Sequence, residues 1–454
     1  MKLFRAIVAA ITALVLVAMP VSAMQIQISG ADELRLDAAA ALLLDLNTGI
    51  VMYNRNMHER NYPASMTKVM TALLTLEAFH DNLNARVPFS YEAVFSIPPG
   101  SSSIAMNDNE TLSVLEALYA IMLPSANEVS NALAELVSGN MEDFATLMTA
   151  RAIELGAVNT RFTNAHGLHD PNHFTTAYDM ALIMREALRF PVFQEIISTT
   201  FREIPPTERQ PLPRPMGNTN AMLTPASTFF HPYVIGGKTG FTNEARHTLV
   251  SYGRMRNMEL ITVVMGLERA GTFVETAALL DFGFENFENV LVFDRHSYTR
   301  DIPLLGTSQS IRAVGERTLT LSLPRGVREL MNPPHFDIPQ YIDPSVSDGD
   351  QLGTATIHYG DIVLAEIPMF AETPTNFVPE VFVPPVLPED FTPEPSILGW
   401  LVTALQVVFV VAASLAALLL VIISKNKRRR KRRYLTSKAR RSSRSHHYRY
   451  RYKN

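Results

Sequence analysis

The 454-residue sequence has no cysteine. Disulfides, thiolate metal sites and cysteine nucleophiles are therefore excluded together. Tryptophan occurs once, as Trp400. Charged residues are scarce, 19% of the chain against 47% apolar. A largely disordered chain needs the opposite balance, so a packed core is expected. The length is about three times the ~150-residue prior for one domain, so several domains are expected. Acid is missing altogether from residues 425–454, which carry 15 Lys and Arg. Lys2 and Arg5 stand at the other end. Between them lie 23 basic and 44 acidic residues, a net of −21 behind the overall −4. A segment so acidic is not expected to bind nucleic acid.

Both ends read as targeting segments. Lys2 and Arg5 precede an uncharged run over 6–20, and Val21-Ser22-Ala23 supplies small residues at the cleavage positions. Residues 1–23 are expected to be a secretory signal peptide. Residues 397–424 form a run of 28 without charge. As a helix it would extend ~42 Å, enough for a ~30 Å hydrocarbon core. Eight of the nine residues 425–433 are Lys or Arg, and the other flank holds Glu389, Asp390 and Glu394. The expectation is one transmembrane helix with the catalytic part outside the cell membrane and the C-terminus cytoplasmic. The basic tail, 425–454, reads as a stop-transfer segment contacting anionic lipid.

The segment 24–289 is mixed. Helical apolar spacing appears over 66–79, 112–122, 129–137, 144–155 and 178–188. Strand-like runs appear over 39–46, 247–254 and 260–267, the last two joined by a turn near Arg256. Helices between terminal strands predict an α+β domain. From 290 to 371 the runs shorten and alternate, as at 318–323, 354–358 and 362–367, which predicts a small all-β domain. Residues 372–396 are rich in proline and acid and read as a stalk. No internal repeat is present.

Three constellations carry chemistry. In Ser65-Met66-Thr67-Lys68, Pro63 suits a helix start, and a spacing of three places Ser65 and Lys68 on one face. A Ser hydroxyl becomes nucleophilic when a neighbouring base takes its proton, and a desolvated neutral lysine is such a base. The spacing alone carries nothing, since Ser424 and Lys427 share it at the membrane edge. In Ser125-Ala126-Asn127 the hydroxyl can relay a proton and the amide can hold a substrate amide. Ser125 also suits the N-cap of a helix starting near Glu128. Ser138-Gly139-Asn140 repeats the pattern and reads as a helix end. In Gly236-Gly237-Lys238-Thr239-Gly240, glycines on a strand admit a close ligand backbone, and Lys238 and Thr239 suit a carboxylate. The segment lacks the glycine spacing of a phosphate loop. In this order, the three match the serine acyl-enzyme pattern.

At this level the sequence resembles the D-alanyl-D-alanine carboxypeptidases, the low-molecular-weight penicillin-binding proteins, over roughly residues 35–370. The likeness extends through residues 63–72, through 166–173 and 175–181, through Asn218-Thr219-Asn220 and through 236–242. It implies the penicillin-binding or β-lactamase-like transpeptidase fold, an antiparallel sheet with helices. It implies that Ser65 attacks the penultimate D-Ala carbonyl of a peptidoglycan stem peptide, with Lys68 as base. Ser125 would pass the proton to the leaving D-Ala, and Asn127 would position the substrate amide. Lys238 and Thr239 would hold the terminal carboxylate, with Gly240 and Phe241 beside them. The backbone N–H groups of Ser65 and Phe241 would form the oxyanion hole. β-Lactams would act as covalent inhibitors. No metal or cofactor is implied, although His166, His169, Asp170 and His173 cluster in sequence.

Two departures stand out. Glu128 and Val129 replace the more usual Asp and Ala, with an effect on packing expected. Thr272 occupies the place of an arginine that assists carboxylate binding, with Arg269 three residues earlier. A β-lactamase would need a Glu with an Asn four residues later, and Glu154 and Asn159 are five apart. A DD-endopeptidase and a β-lactam receptor without turnover remain as alternatives. The 30-residue tail is too short for a receptor's output domain.

Overall fold

The computed structural model describes residues 34–373, apart from 208 and 361. The expected signal peptide, nearly all of the stalk, the span 397–424 and the basic tail lie outside the described residues. Among the described residues no helix is long and apolar enough to cross a membrane.

Strands are numbered along the chain. A five-stranded antiparallel sheet has the order β2–β1–β9–β8–β7. Its members are β1 (Ala40–Asp45), β2 (Val51–Arg55), β7 (Val234–Thr242), β8 (Arg246–Met255) and β9 (Met258–Leu267). β1 is buried along its whole length because both of its faces are covered. Ala40, Leu42 and Leu44 pack into one apolar core, while Ala41 and Leu43 pack into another. The period-2 geometry of a strand separates the two sets.

The first core is filled by helices inserted between β2 and β7. They are α1 (Lys68–Phe79), α2 (Tyr91–Phe95), α3 (Val114–Met122), α4 (Asn127–Ser138), α5 (Met141–Glu154), α6 (Ala177–Ala187) and α7 (Pro191–Ser198). α1 is buried from Lys68 through Leu76, so it runs through the interior and has no wide polar face. A capping box of Ser113 and Glu116 starts α3. α4 ends on Gly139 at φ 82°, and the Asn140 side chain caps α5. The Ser138-Gly139-Asn140 repeat is therefore a helix end and a helix start. Two short ladders, β3 (Arg86–Pro88) with β4 (Thr111–Ser113) and β5 (Phe201–Ile204) with β6 (Arg214–Gly217), flank these helices.

The second core lies under α8, Arg269–Asn286. Glycines at 271 and 283 weaken its local helix propensity, but Gly283 lets the helix approach the sheet, since a Cβ there would lie 2.6 Å from Leu260 Cδ1. Packing overrides local propensity here.

Beyond α8 the chain is strand-rich. β10 (Phe287–Phe293) pairs with β13 (Leu319–Pro324). A second five-stranded sheet has the order β11–β12–β16–β15–β14, formed by β11 (Arg300–Pro303), β12 (Ser310–Gly315), β14 (His335–Asp337), β15 (Gln351–Tyr359) and β16 (Ile362–Glu372). These strands share their own apolar core, which includes Ile311, Ala355, Ile357 and Ile367. β10 runs across residue 290, where the sequence changes character: Phe287 belongs to the α8 core and Val290 to the next. Ser322 Oγ donates to Asp45 Oδ2 at 2.7 Å and so ties β13 to the first sheet.

Candidate active site

Ser65 lies in a 3-10 turn, Ala64–Thr67, that runs into α1 at Lys68. The helix expected over 66–79 therefore begins one turn tighter than an α-helix. At about three residues per turn, positions i and i+3 eclipse. Ser65 Oγ and Lys68 Nζ consequently stand 3.2 Å apart. Ala64 adopts a left-handed φ of 48°, which is strained for a residue with a side chain. Two contacts hold it there. Thr67 Oγ1 donates to Ala64 O at 2.8 Å, and Gly167 sits against the same carbonyl. A Cβ at Gly167 would lie 1.9 Å from that oxygen.

Lys68 is fully buried. Its Nζ lies 2.7 Å from Asn127 Oδ1 and 2.6 Å from the His166 carbonyl oxygen, besides Ser65. Burial first, and then the nearby Lys238 charge, hold the Lys68 amine well below the usual lysine range, while Glu128 pushes the other way. A neutral amine has two N–H donors and one lone pair. Asn127 Oδ1 and the His166 carbonyl can only accept, so they take both donors. The lone pair is left facing Ser65.

Ser125 is not the cap that its position suggested. The N-cap of α4 is Ala126, without a side-chain cap bond. Ser125 instead has a left-handed φ of 69°, and its buried Oγ has no hydrogen-bond partner among the described residues. A strained backbone and an uncommitted hydroxyl mark a group held ready for something else. Asn127 is fixed through its backbone N–H, which donates to Ser102 O at 2.9 Å. The Glu128 replacement has a definite consequence. Its buried Oε1 accepts from Ser103 Oγ and Ile104 N, both at 2.7 Å, and so clamps the 101–104 loop beside Asn127.

The third constellation is on β7, as expected. Lys238 is buried, and its Nζ donates to Thr239 O at 3.0 Å. Burial brings its ammonium down to about 7. Thr239 Oγ1 lies 2.6 Å from Thr219 Oγ1. A Cβ at Gly240 would lie 2.8 Å from Ser65 N, so this glycine lets β7 close on the nucleophile turn. The exposed Phe241 ring packs on His247 with centroids 4.4 Å apart. Thr272 turns inward and bonds its own helix at Glu268 O, 3.1 Å away. Exposed Arg269 is near enough to lower the His247 pKa, after the larger effect of burial.

The histidine segment is structural in this arrangement. Thr163 N donates to His173 Nδ1 at 3.0 Å, which makes that nitrogen the acceptor. Nε2 then donates to Thr67 Oγ1 at 2.8 Å. Burial pushes His173 down to about 4 and His166 to about 3, so both stay neutral near pH 7.

A family profile described as D-alanyl-D-alanine carboxypeptidase matches residues 27–269. The chain belongs to this family. It is 33% identical to the D-alanyl-D-alanine carboxypeptidase DacF of Bacillus subtilis over 350 residues, covering 75% of this chain and 86% of that one. It is 35% identical to the D-alanyl-D-alanine carboxypeptidase DacC of Escherichia coli over 266 residues, covering 56% and 63%. Among solved structures, penicillin binding protein 5 from Haemophilus influenzae superposes with a TM-score of 0.65 at 26% identity, over 74% of this chain and 97% of that one. The penicillin-binding fold expected from the resemblance is therefore present.

Reading the motifs alone missed three residues that the fold brings against the motifs. Thr219 was seen only as part of a matching Asn-Thr-Asn triplet, His173 only as one of several clustered histidines, and Glu128 as a change of packing. Their placement depends on loops that close from distant parts of the chain. The triplet was the one local signal, because two asparagines around a threonine suit a braced loop.

Proposed function

We propose that this chain is a serine-type D-alanyl-D-alanine carboxypeptidase in which Ser65 removes the terminal D-Ala from peptidoglycan stem peptides. The carrying observation is the buried Lys68 Nζ, 3.2 Å from Ser65 Oγ and within 2.7 Å of two acceptors, Asn127 Oδ1 and the His166 carbonyl, that can take the two N–H donors of a neutral amine. Ser65 gives its proton to Lys68 Nζ as Oγ attacks the penultimate D-Ala carbonyl. The oxyanion forms against the N–H groups of Ser65 and Phe241, which preorganised donors stabilise most as charge develops. The Ser125 hydroxyl carries the proton to the departing D-Ala nitrogen. Asn127 Oδ1 is committed to Lys68, so its Nδ2 is the group that meets the substrate carbonyl. Lys238 and Thr239 hold the terminal carboxylate, beside Gly240 and Phe241. Water then releases the acyl group, and β-lactams stop at the acyl-enzyme.

The same reading assigns 1–23 to a signal peptide, 24–289 to the catalytic domain and 290–371 to a small β domain. It assigns 372–396 to a stalk, 397–424 to a membrane span and 425–454 to a cytoplasmic tail on anionic lipid. The supports are the apolar lengths and the charge asymmetry of the sequence.

The test uses the full chain in detergent with a pentapeptide stem. Mass spectrometry should show loss of one D-Ala, and a penicillin should add its mass at Ser65. Ser65→Ala should abolish both. Labelling that survives Ser65→Ala and disappears with Ser138→Ala would show that the wrong motif has been assigned.

A further inference from the structure

The hydroxyl of Thr219 lies 2.6 Å from that of Thr239, on a loop otherwise committed to structure. Asn218 Nδ2 donates to Thr199 O at 2.9 Å, and Asn218 Oδ1 accepts from Asn220 N at 2.9 Å. Asn220 Oδ1 accepts from Met222 N at 3.1 Å. Asn218 thus spends its whole side chain on the backbone and Asn220 its Oδ1, while the buried Asn220 Nδ2 has no partner among the described residues, and Thr219 is the one of the three whose side chain bonds to β7. Its own N–H donates to Leu123 O at 3.2 Å, two residues before Ser125. Thr219 thus bridges the Ser125 turn and the Lys238-Thr239-Gly240 strand. It is exposed, whereas Lys238 behind it is buried.

We infer that Thr219 is a substrate-contacting residue, whose hydroxyl joins that of Thr239 in a two-donor cradle for the terminal carboxylate of the stem peptide. The inference rests on the carboxypeptidase reading above. A carboxylate accepts through both oxygens and has no donor. Lys238 Nζ already donates to Thr239 O and lies inside the protein, so it supplies charge from behind. The outer donors must come from hydroxyls at the surface. Two hydroxyls in contact hold two protons and use one between themselves. When a carboxylate arrives, that mutual bond gives way and each hydroxyl donates its proton to one carboxylate oxygen. The second of these donors needs an O–H at position 219. Valine has the shape of threonine without it.

The experiment compares the full chain with Thr219→Val and Thr219→Ser. Each is assayed on a stem peptide ending in D-Ala-D-Ala and on the same peptide with a terminal carboxamide. Thr219→Val should lower kcat/KM for the free acid ~10-fold or more, the scale of one hydrogen bond to a charged group. The loss should appear in KM, and the carboxamide should change by less than about 2-fold. Thr219→Ser should stay within about 3-fold of the parent on both. Equal losses on the two substrates would make Thr219 a loop brace and overturn the assignment. No loss on the free acid would overturn it as well. The parent is checked first by penicillin labelling at Ser65. If it neither labels nor releases D-Ala, the carboxypeptidase reading fails and this one falls with it. A labelled parent with an unchanged ratio in Thr219→Val defeats this inference alone.

Discussion

His173 Nε2 lies 2.8 Å from Thr67 Oγ1, and through that hydroxyl it reaches the Ala64 carbonyl beside the nucleophile. This chain of two hydrogen bonds keeps Ala64 in its left-handed backbone and so sets where Ser65 points. His173→Ala should therefore slow acylation by penicillin ~10-fold or more and cost ~2–4 kcal/mol of stability, since it leaves a cavity and takes the acceptor from the Thr163 N–H. Stopped-flow labelling and denaturant unfolding measure the two. Unchanged acylation in a destabilised variant would separate His173 from the geometry of Ser65.

The same histidine gives an acid response. Its folded pKa, about 4, is below the ordinary 6.5. Above pH 6.5 neither the folded nor the unfolded chain protonates it. As pH falls from 6.5 towards 4, the unfolded chain takes up a proton that the folded one refuses, so stability declines. His166, held at about 3, acts in the same direction. The melting temperature should drop through this window, and His173→Gln should make the drop shallower. A profile of equal slope in both proteins would assign the acid response elsewhere.

Lys238 should impose an upper pH limit on free-acid substrates. Its ammonium is brought down to about 7 by burial, so the charge that attracts a carboxylate is lost as pH rises through that value. Burial and the Lys238 charge hold the Lys68 amine well below the usual lysine range, so a rise in pH only favours its basic form. The free-acid to carboxamide ratio in kcat/KM should fall above pH 7 and stay flat in Lys238→Ala, with ~10-fold lower free-acid activity at lower pH. A ratio independent of pH in the parent would remove Lys238 from carboxylate binding.

Gly240→Ala tests how closely β7 must approach the nucleophile. The new Cβ would press on Thr248 Oγ1 at 2.5 Å, Ser65 N at 2.8 Å and Ala64 Cβ at 3.0 Å. Thr248 Oγ1 itself donates to Pro63 O at 3.0 Å, so it cannot yield freely. Acylation should fall ~100-fold, the scale of losing an oxyanion donor, while overpacking costs only ~1–3 kcal/mol of stability. Near-normal acylation would mean that the turn moves aside and that its present position is not required.

Ending the chain at Glu394 should release a soluble enzyme with nearly unchanged turnover on a small peptide. The three motifs end at Gly240, far in sequence from residue 397, and the proline- and acid-rich stalk has no apolar periodicity to pack on them. Fractionation and a peptide assay test both halves. A truncated protein still bound to membrane would reveal a second attachment surface, and a folded but inactive one would link the anchor to the site.

The sequence by itself determined the chemistry and the order of the elements. Ser65 and Lys68 are three apart on one continuous turn, so their meeting needed only local geometry. The helices 129–137 and 178–188 and the strands 247–254 and 260–267 were legible because their side chains repeat with the period of the backbone. The end of α4 at Gly139 was legible for a similar reason, since one residue supplies the left-handed conformation. What the tertiary structure decided is what each polar atom faces. Ser125 looked like a cap, yet the fold leaves its hydroxyl without a partner. Asn127 was expected to meet only substrate, but its Oδ1 meets Lys68 from 59 residues away. Thr219 and Thr239, 20 residues apart, touch because β6 returns its loop to β7. Lys238 depends on burial for its shifted charge, and no spacing encodes burial. Local sequence carries periodicity and backbone preference, whereas desolvation and hydrogen-bond partners arise only when distant segments close on one another.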